Sequence, residues 1–79
     1  MASFYPELYQ TALALLVEAR QKAGRTQEAL AAWFGQSEAF VSSYEEGERL
    51  LDPSEYIALA RAIGVDPYEL LKQAEAVSL

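Results

Sequence analysis

Two segments of the sequence carry the same helix-start signal. Asp52-Pro53-Ser54-Glu55 and Asp66-Pro67-Tyr68-Glu69 each place Asp at an N-cap and Pro at the first helical position, where its missing N–H costs nothing. Each then places Glu at the third position, beside the positive end of the helix dipole. Glycines supply the stops: Gly24, Gly35, Gly47 and Gly64 each follow an apolar-periodic stretch and can take the left-handed conformation that closes a helix. This punctuation predicts five short helices. The first opens with Pro6 and runs to Lys22-Ala23. The second is capped by Thr26 and ends at Phe34, and the third follows Ser37 and ends at Gly47. The fourth and fifth begin at the two Asp-Pro signals. No stretch shows sustained alternation of apolar and polar residues, so the fold class is all-α.

Composition limits the chemistry open to such a chain. With 79 residues, 52% of them hydrophobic, a single domain over residues 1–79 with a thin core is expected, and pairing with a second copy would add burial. Cysteine and histidine are both absent, which removes disulfides, Cys/His zinc sites, thiol nucleophiles and imidazole acid–base chemistry. Ser42 and Ser43 have no nearby base, since Lys22 and Lys72 lie far off in sequence. The carboxylate run Glu45, Glu46, Glu48 and Asp52 matches no calcium-loop spacing and reads as solvated helix-end charge. An enzyme is not expected, nor a cofactor or a metal. The first residues carry no basic leader, and the longest apolar run, residues 12–17, is too short to span a bilayer; a cytoplasmic protein without a membrane role is the expectation.

Six Lys and Arg stand against twelve Asp and Glu, a formal charge of −6. That argues against an ordinary nucleic-acid binder, whose affinity comes largely from cations neutralising phosphates. The gap between the second and third helices pulls the other way. Two helices of eight to ten residues joined by a short turn that starts with glycine form the helix-turn-helix signature. The apolar spacing gives Leu13, Leu16, Val17 and Arg20 one face of the first helix, Leu30, Ala31 and Phe34 the inner stripe of the second, and Phe40, Val41 and Tyr44 that of the third. The other face of the third helix carries Glu38, Ala39, Ser42, Ser43 and Glu46.

Several blocks, in order, resemble the lambda-repressor/Cro (XRE-like) family from about residue 13 to residue 71. Gly24-Arg25-Thr26-Gln27-Glu28-Ala29-Leu30-Ala31 resembles that family's Gly-Leu-Thr-Gln-x-x-Leu-Ala. Phe40-Val41-Ser42-Ser43-Tyr44-Glu45-Glu46-Gly47-Glu48-Arg49 resembles its recognition helix and following turn, and Ala58-Leu59-Ala60-Arg61-Ala62-Ile63-Gly64-Val65-Asp66-Pro67 its fourth-helix ending. The resemblance implies a five-helix lambda-repressor-like DNA-binding domain, here with an extended first helix. It implies a structural ion pair between Arg20 and Glu45, and a Gln27 that helps hold a phosphate at the N-terminus of the second helix. Major-groove contacts would come from Glu38, Ala39, Ser42 and Ser43, with Glu46 near the backbone. The implied function is a DNA-binding transcriptional regulator acting on double-stranded DNA, as a homodimer.

The sequence departs from that pattern on the DNA face. Members of the family it resembles commonly carry Gln or Arg where Glu38 stands, and basic residues at the places of Ser43 and Leu50. Over residues 24–50, Arg25 and Arg49 face Glu28, Glu38, Glu45, Glu46 and Glu48, a net of −3. A second reading therefore stays open: a helix-turn-helix repurposed as a protein-interaction module, such as an antirepressor, antitoxin or partner subunit, through an acidic and aromatic face. Phe4, Tyr5, Leu8 and Tyr9 upstream of the matched blocks, and Trp33 beside the inner stripe of the second helix, are the candidate protein interface.

Overall fold

The computed structural model describes residues 7–78 of the chain. Five helices follow in order: α1 (Glu7–Lys22), α2 (Gln27–Phe34), α3 (Glu38–Glu45), α4 (Pro53–Ile63) and α5 (Pro67–Ser78). Among the described residues there is no strand. Phe4 and Tyr5 lie outside the described residues.

Most of the described boundaries are made by the residue the sequence offers for them; Pro6 lies outside the described residues, and α3 ends at Glu45, before Gly47. Thr26 and Ser37 hold extended backbone, and their hydroxyls accept the N–H groups of Ala29 and Phe40 at 3.0 and 3.3 Å. Asp52 accepts from the Glu55 N–H at 2.7 Å, while the Glu55 carboxylate accepts the Asp52 N–H at 3.0 Å, a complete capping box. Asp66 caps α5 by accepting the N–H groups of Tyr68 and Glu69. At the other end of α2, Gly35 sits at φ 76°, so that its own N–H and that of Gln36 return to Ala32 and Ala31. This left-handed turn lets α3 start only three residues after α2 ends, a geometry that a β-carbon would strain.

The core is built from Leu16, Leu30, Val41, Tyr44 and Leu59, with Ala12, Ala31, Ala60, Ile63, Leu70 and Ala74 closing the space between helices. α1 packs mainly against α5 and α2 mainly against α3, while α4 bridges α2 and α5. The inner face of α1 is rotated from the one that periodicity predicts. Ala12, Leu16 and Arg20 are buried, whereas Leu13 and Val17 are half-buried at the edges of the stripe. Phe34 and Phe40 are likewise half-buried, and they stack on each other at 5.7 Å between centroids instead of reaching the centre. The Tyr56 hydroxyl donates to the Pro67 carbonyl at 2.7 Å and ties α4 to the start of α5; burial pushes this phenol above its ordinary pKa.

Candidate nucleic-acid interface

The three-residue turn fixes α3 against α2, and the inner face of α3 anchors the pair to α1. Val41 and Tyr44 are buried without measurable exposure. Beside them Arg20 and Glu45 form a two-point ion pair. Arg20 donates from Nε to one carboxylate oxygen at 2.6 Å and from a terminal nitrogen to the other at 3.1 Å. The remaining terminal nitrogen donates to the Arg25 carbonyl at 2.6 Å, so one guanidinium fixes both the end of α3 and the α1–α2 turn. The hydrogen bond to Glu45 holds the guanidinium pKa above its ordinary value, against the opposing effect of burial.

Gln27 enters the same network. Its side-chain amide donates to Glu45 Oε1 at 2.9 Å, and the residue is half-buried at the first position of α2. One amide hydrogen is thus committed inward, leaving the second Nε2 hydrogen and the backbone N–H groups of Gln27 and Glu28 for anything outside, since that of Ala29 is taken by Thr26. The Tyr44 hydroxyl is buried with no hydrogen-bond partner among the described residues, and desolvation raises its pKa well above the usual phenol range.

On the outer face of α3, Glu38, Ala39 and Glu46 are exposed and Ser42 and Ser43 half-buried. The Ser42 hydroxyl donates to a Glu46 carboxylate oxygen at 3.5 Å, a long contact within the helix. Neither Glu38 nor the Ser43 hydroxyl has a hydrogen bond or ion pair among the described residues. The turn after α3 is clamped separately. Arg49 donates to both carboxylate oxygens of Glu55 at 3.1 and 3.0 Å, and its guanidinium lies 4.6 Å above the Phe40 ring. That bond to Arg49 holds the Glu55 carboxyl below its ordinary pKa. Asp52 is lowered too, chiefly by the Glu55 N–H it accepts.

A helix-turn-helix profile, described as a helix-turn-helix domain, matches residues 13–72. Among solved structures, a protein described as an XRE-family like protein from Pseudomonas syringae pv. tomato str. DC3000 is similar over 91% of this chain and 88% of its own. The identity is 49% and the TM-score 0.85. No curated protein sequence matches the chain. The chain belongs to the XRE-type helix-turn-helix family. It is a lambda-repressor-like fold in a family of DNA-binding regulators.

Within this XRE-type fold three of the six cations are in ion pairs among the described residues. Arg20 pairs with Glu45, Arg49 with Glu55, and Lys22 with Glu18 at 3.6 Å. Of the two arginines in residues 24–50, only Arg25 lacks a carboxylate partner among the described residues, and it is exposed. Sequence reasoning passes over Arg25 as a site residue. The available signal is its position, a lone cation two residues before Gln27. The candidate protein-interface residues are dispersed. Trp33 is 71% exposed on α2, while Leu8 and Tyr9 line an apolar cavity of about 340 Å³ between α1, α4 and α5. Tyr9 is half-buried, and its hydroxyl accepts the Leu51 N–H at 3.1 Å, so it also serves the fold. Among the described residues no helix is long and apolar enough to cross a membrane, and no cluster of three candidate metal ligands occurs.

Proposed function

We propose that this chain is a small DNA-binding transcriptional regulator of the cytoplasm that meets the major groove of operator DNA with α2 and α3, as a homodimer. The observation that carries the reading is the division of α3. Its inner face is locked to α1 and α2 by buried side chains and the Arg20–Glu45–Gln27 network, while its outer face exposes Glu38 and Ala39 and half-exposes Ser42 and Ser43, with Glu38 and the Ser43 hydroxyl unengaged among the described residues. An eight-residue helix held at one face and open at the other has the shape of a groove reader. Gln27 and the free N–H groups at the start of α2 would meet one phosphate, and Glu38, Ala39, Ser42 and Ser43 the base edges, with Glu46 beside the backbone.

Fluorescence anisotropy against native genomic fragments, at about 50 and 200 mM salt, tests the reading. A selectively bound fragment at the lower salt, lost on Gln27→Ala or on replacing Ser42 and Ser43 with Asp, is the expected result. No binding at the lower salt, where phosphate attraction is strongest, would overturn it.

A second reading is favoured by the −3 balance of residues 24–50 together with the 71% exposure of Trp33. On it, the same fold offers its acidic face to a basic protein partner. That reading gains if Glu38→Gln combined with Ser43→Lys creates a DNA affinity that the natural chain lacks.

A further inference from the structure

We infer that Glu38 makes this protein a reader of cytosine at one position of its binding site, through the unpaired carboxylate it projects from the first turn of α3. The inference rests on the DNA-binding reading above and concerns what that face selects.

Glu38 directly follows the Ser37 cap, and its side chain is exposed. Side chains on a helix lean toward its N-terminus, so a residue at this position reaches past the helix end. That end of a recognition helix is the one that contacts base edges. The carboxylate is not drawn away by the protein itself. Glu38 has no ion pair among the described residues: Arg49 is held by Glu55 and lies over Phe40, and Arg20 is buried against Glu45. The positive end of the α3 dipole also favours an acid here, which offsets part of the repulsion from phosphates.

A carboxylate presents only acceptors, so it requires a base-edge donor. In the major groove thymine shows O4 and guanine shows O6 and N7, all acceptors that repel it. Adenine pairs its N6 amine with an adjacent N7 acceptor. Cytosine alone offers its N4 amine with no acceptor beside it on the same base. The neighbouring side chains discriminate less: Ala39 has no polar atom, the Ser42 hydroxyl donates along the helix to Glu46, and the Ser43 hydroxyl, able both to donate and to accept, suits any base edge. Glu38 is thus the one charged group on the first turn of α3 and the strongest discriminator that turn can offer.

The test selects a randomised duplex pool with the full chain at about 50 mM salt, sequences the bound fraction, and repeats the selection with Glu38→Gln and Glu38→Ala. Anisotropy then follows on duplexes differing at the selected position. The inference expects one strongly preferred cytosine for the natural chain. It expects that preference to move to adenine with Glu38→Gln, since an amide can bond adenine N6 and N7 together, and to flatten with Glu38→Ala. Exchanging that cytosine for thymine should weaken the natural chain by roughly tenfold and Glu38→Ala by little. Bound pools that are the same for the natural chain and both variants would overturn the inference while leaving DNA binding intact. An empty bound fraction for the natural chain, whatever the variants do, would overturn the DNA-binding reading and this inference with it.

Discussion

The two faces of α3 are built on opposite terms. The inner face buries Val41 and Tyr44 and ends in a carboxylate that accepts hydrogen bonds from both Arg20 and Gln27. The outer face, on the same eight residues, leaves Glu38 and the Ser43 hydroxyl without partners among the described residues. Glu45 and Glu46 are chain neighbours, yet one completes a buried network and the other faces solvent. Net charge therefore says little about what a helix can bind; the placement of each charge decides it. Asp52, Glu55, Asp66 and Glu45 are spent on caps and ion pairs, so the acidity that opposes a phosphate backbone narrows to Glu38 and Glu46, with Glu28 and Glu48 at the margins.

Breaking the inner face should have the largest effect. Glu45→Ala leaves a buried guanidinium unpaired and an amide without its acceptor, and should cost about 3 kcal/mol in urea unfolding. The double change Arg20→Met with Glu45→Leu should cost less than that single one. Breaking the outer face should spare the fold. Replacing Ser42 and Ser43 with Asp should lower the urea midpoint far less than Glu45→Ala while weakening DNA binding by about 100-fold or more, since two acids would then face phosphates. If both pairs of changes alter stability alike, the division between the faces fails.

A smaller effect sharpens the contrast from inside. Tyr44→Phe removes a buried hydroxyl that has no hydrogen-bond partner among the described residues. The change should be neutral or stabilising by up to about 1 kcal/mol, with DNA binding unaffected; a loss of more than that would mean the hydroxyl is partnered in solution. The smallest effect concerns the turn that carries the chain from α3 to α4. Asp52 and Glu55 have folded pKa values below their ordinary 3.8 and 4.5, so their contribution is present above those values and is lost as pH falls through the lowered ones. Thermal unfolding should be flat near neutrality and fall below about pH 4, and Glu55→Gln should flatten part of that acid limb.

Where a feature depends on neighbours in sequence, the sequence displays it. Thr26, Ser37, Asp52 and Asp66 cap the helices that their spacing predicts, and Gly35 makes the turn between α2 and α3. The third helix closes two residues before Gly47, within the fraying expected of a helix end. What depends on packing between distant segments is mostly hidden; the Arg20–Glu45 pair, 25 residues apart, is reached only through the family resemblance. The burial of Ala12 in place of Leu13 depends on how α1 meets the rest of the bundle, which its own spacing does not state. The Gln27–Glu45 bond joins residues 18 apart, and the Tyr9–Leu51 bond residues 42 apart. No local pattern announces either. The Arg49 clamp is legible as an arginine after a turn, but not as a guanidinium held between Glu55 and the face of Phe40.

The most direct test of the account is a map of backbone amide shifts when the labelled chain is titrated with its selected DNA duplex at low salt. The account predicts large changes at residues 26–28 and 38–43, with the amides of α5 little moved. Changes confined to α1, α4 and α5 around Leu8 and Tyr68, with the first turns of α2 and α3 silent, would contradict it.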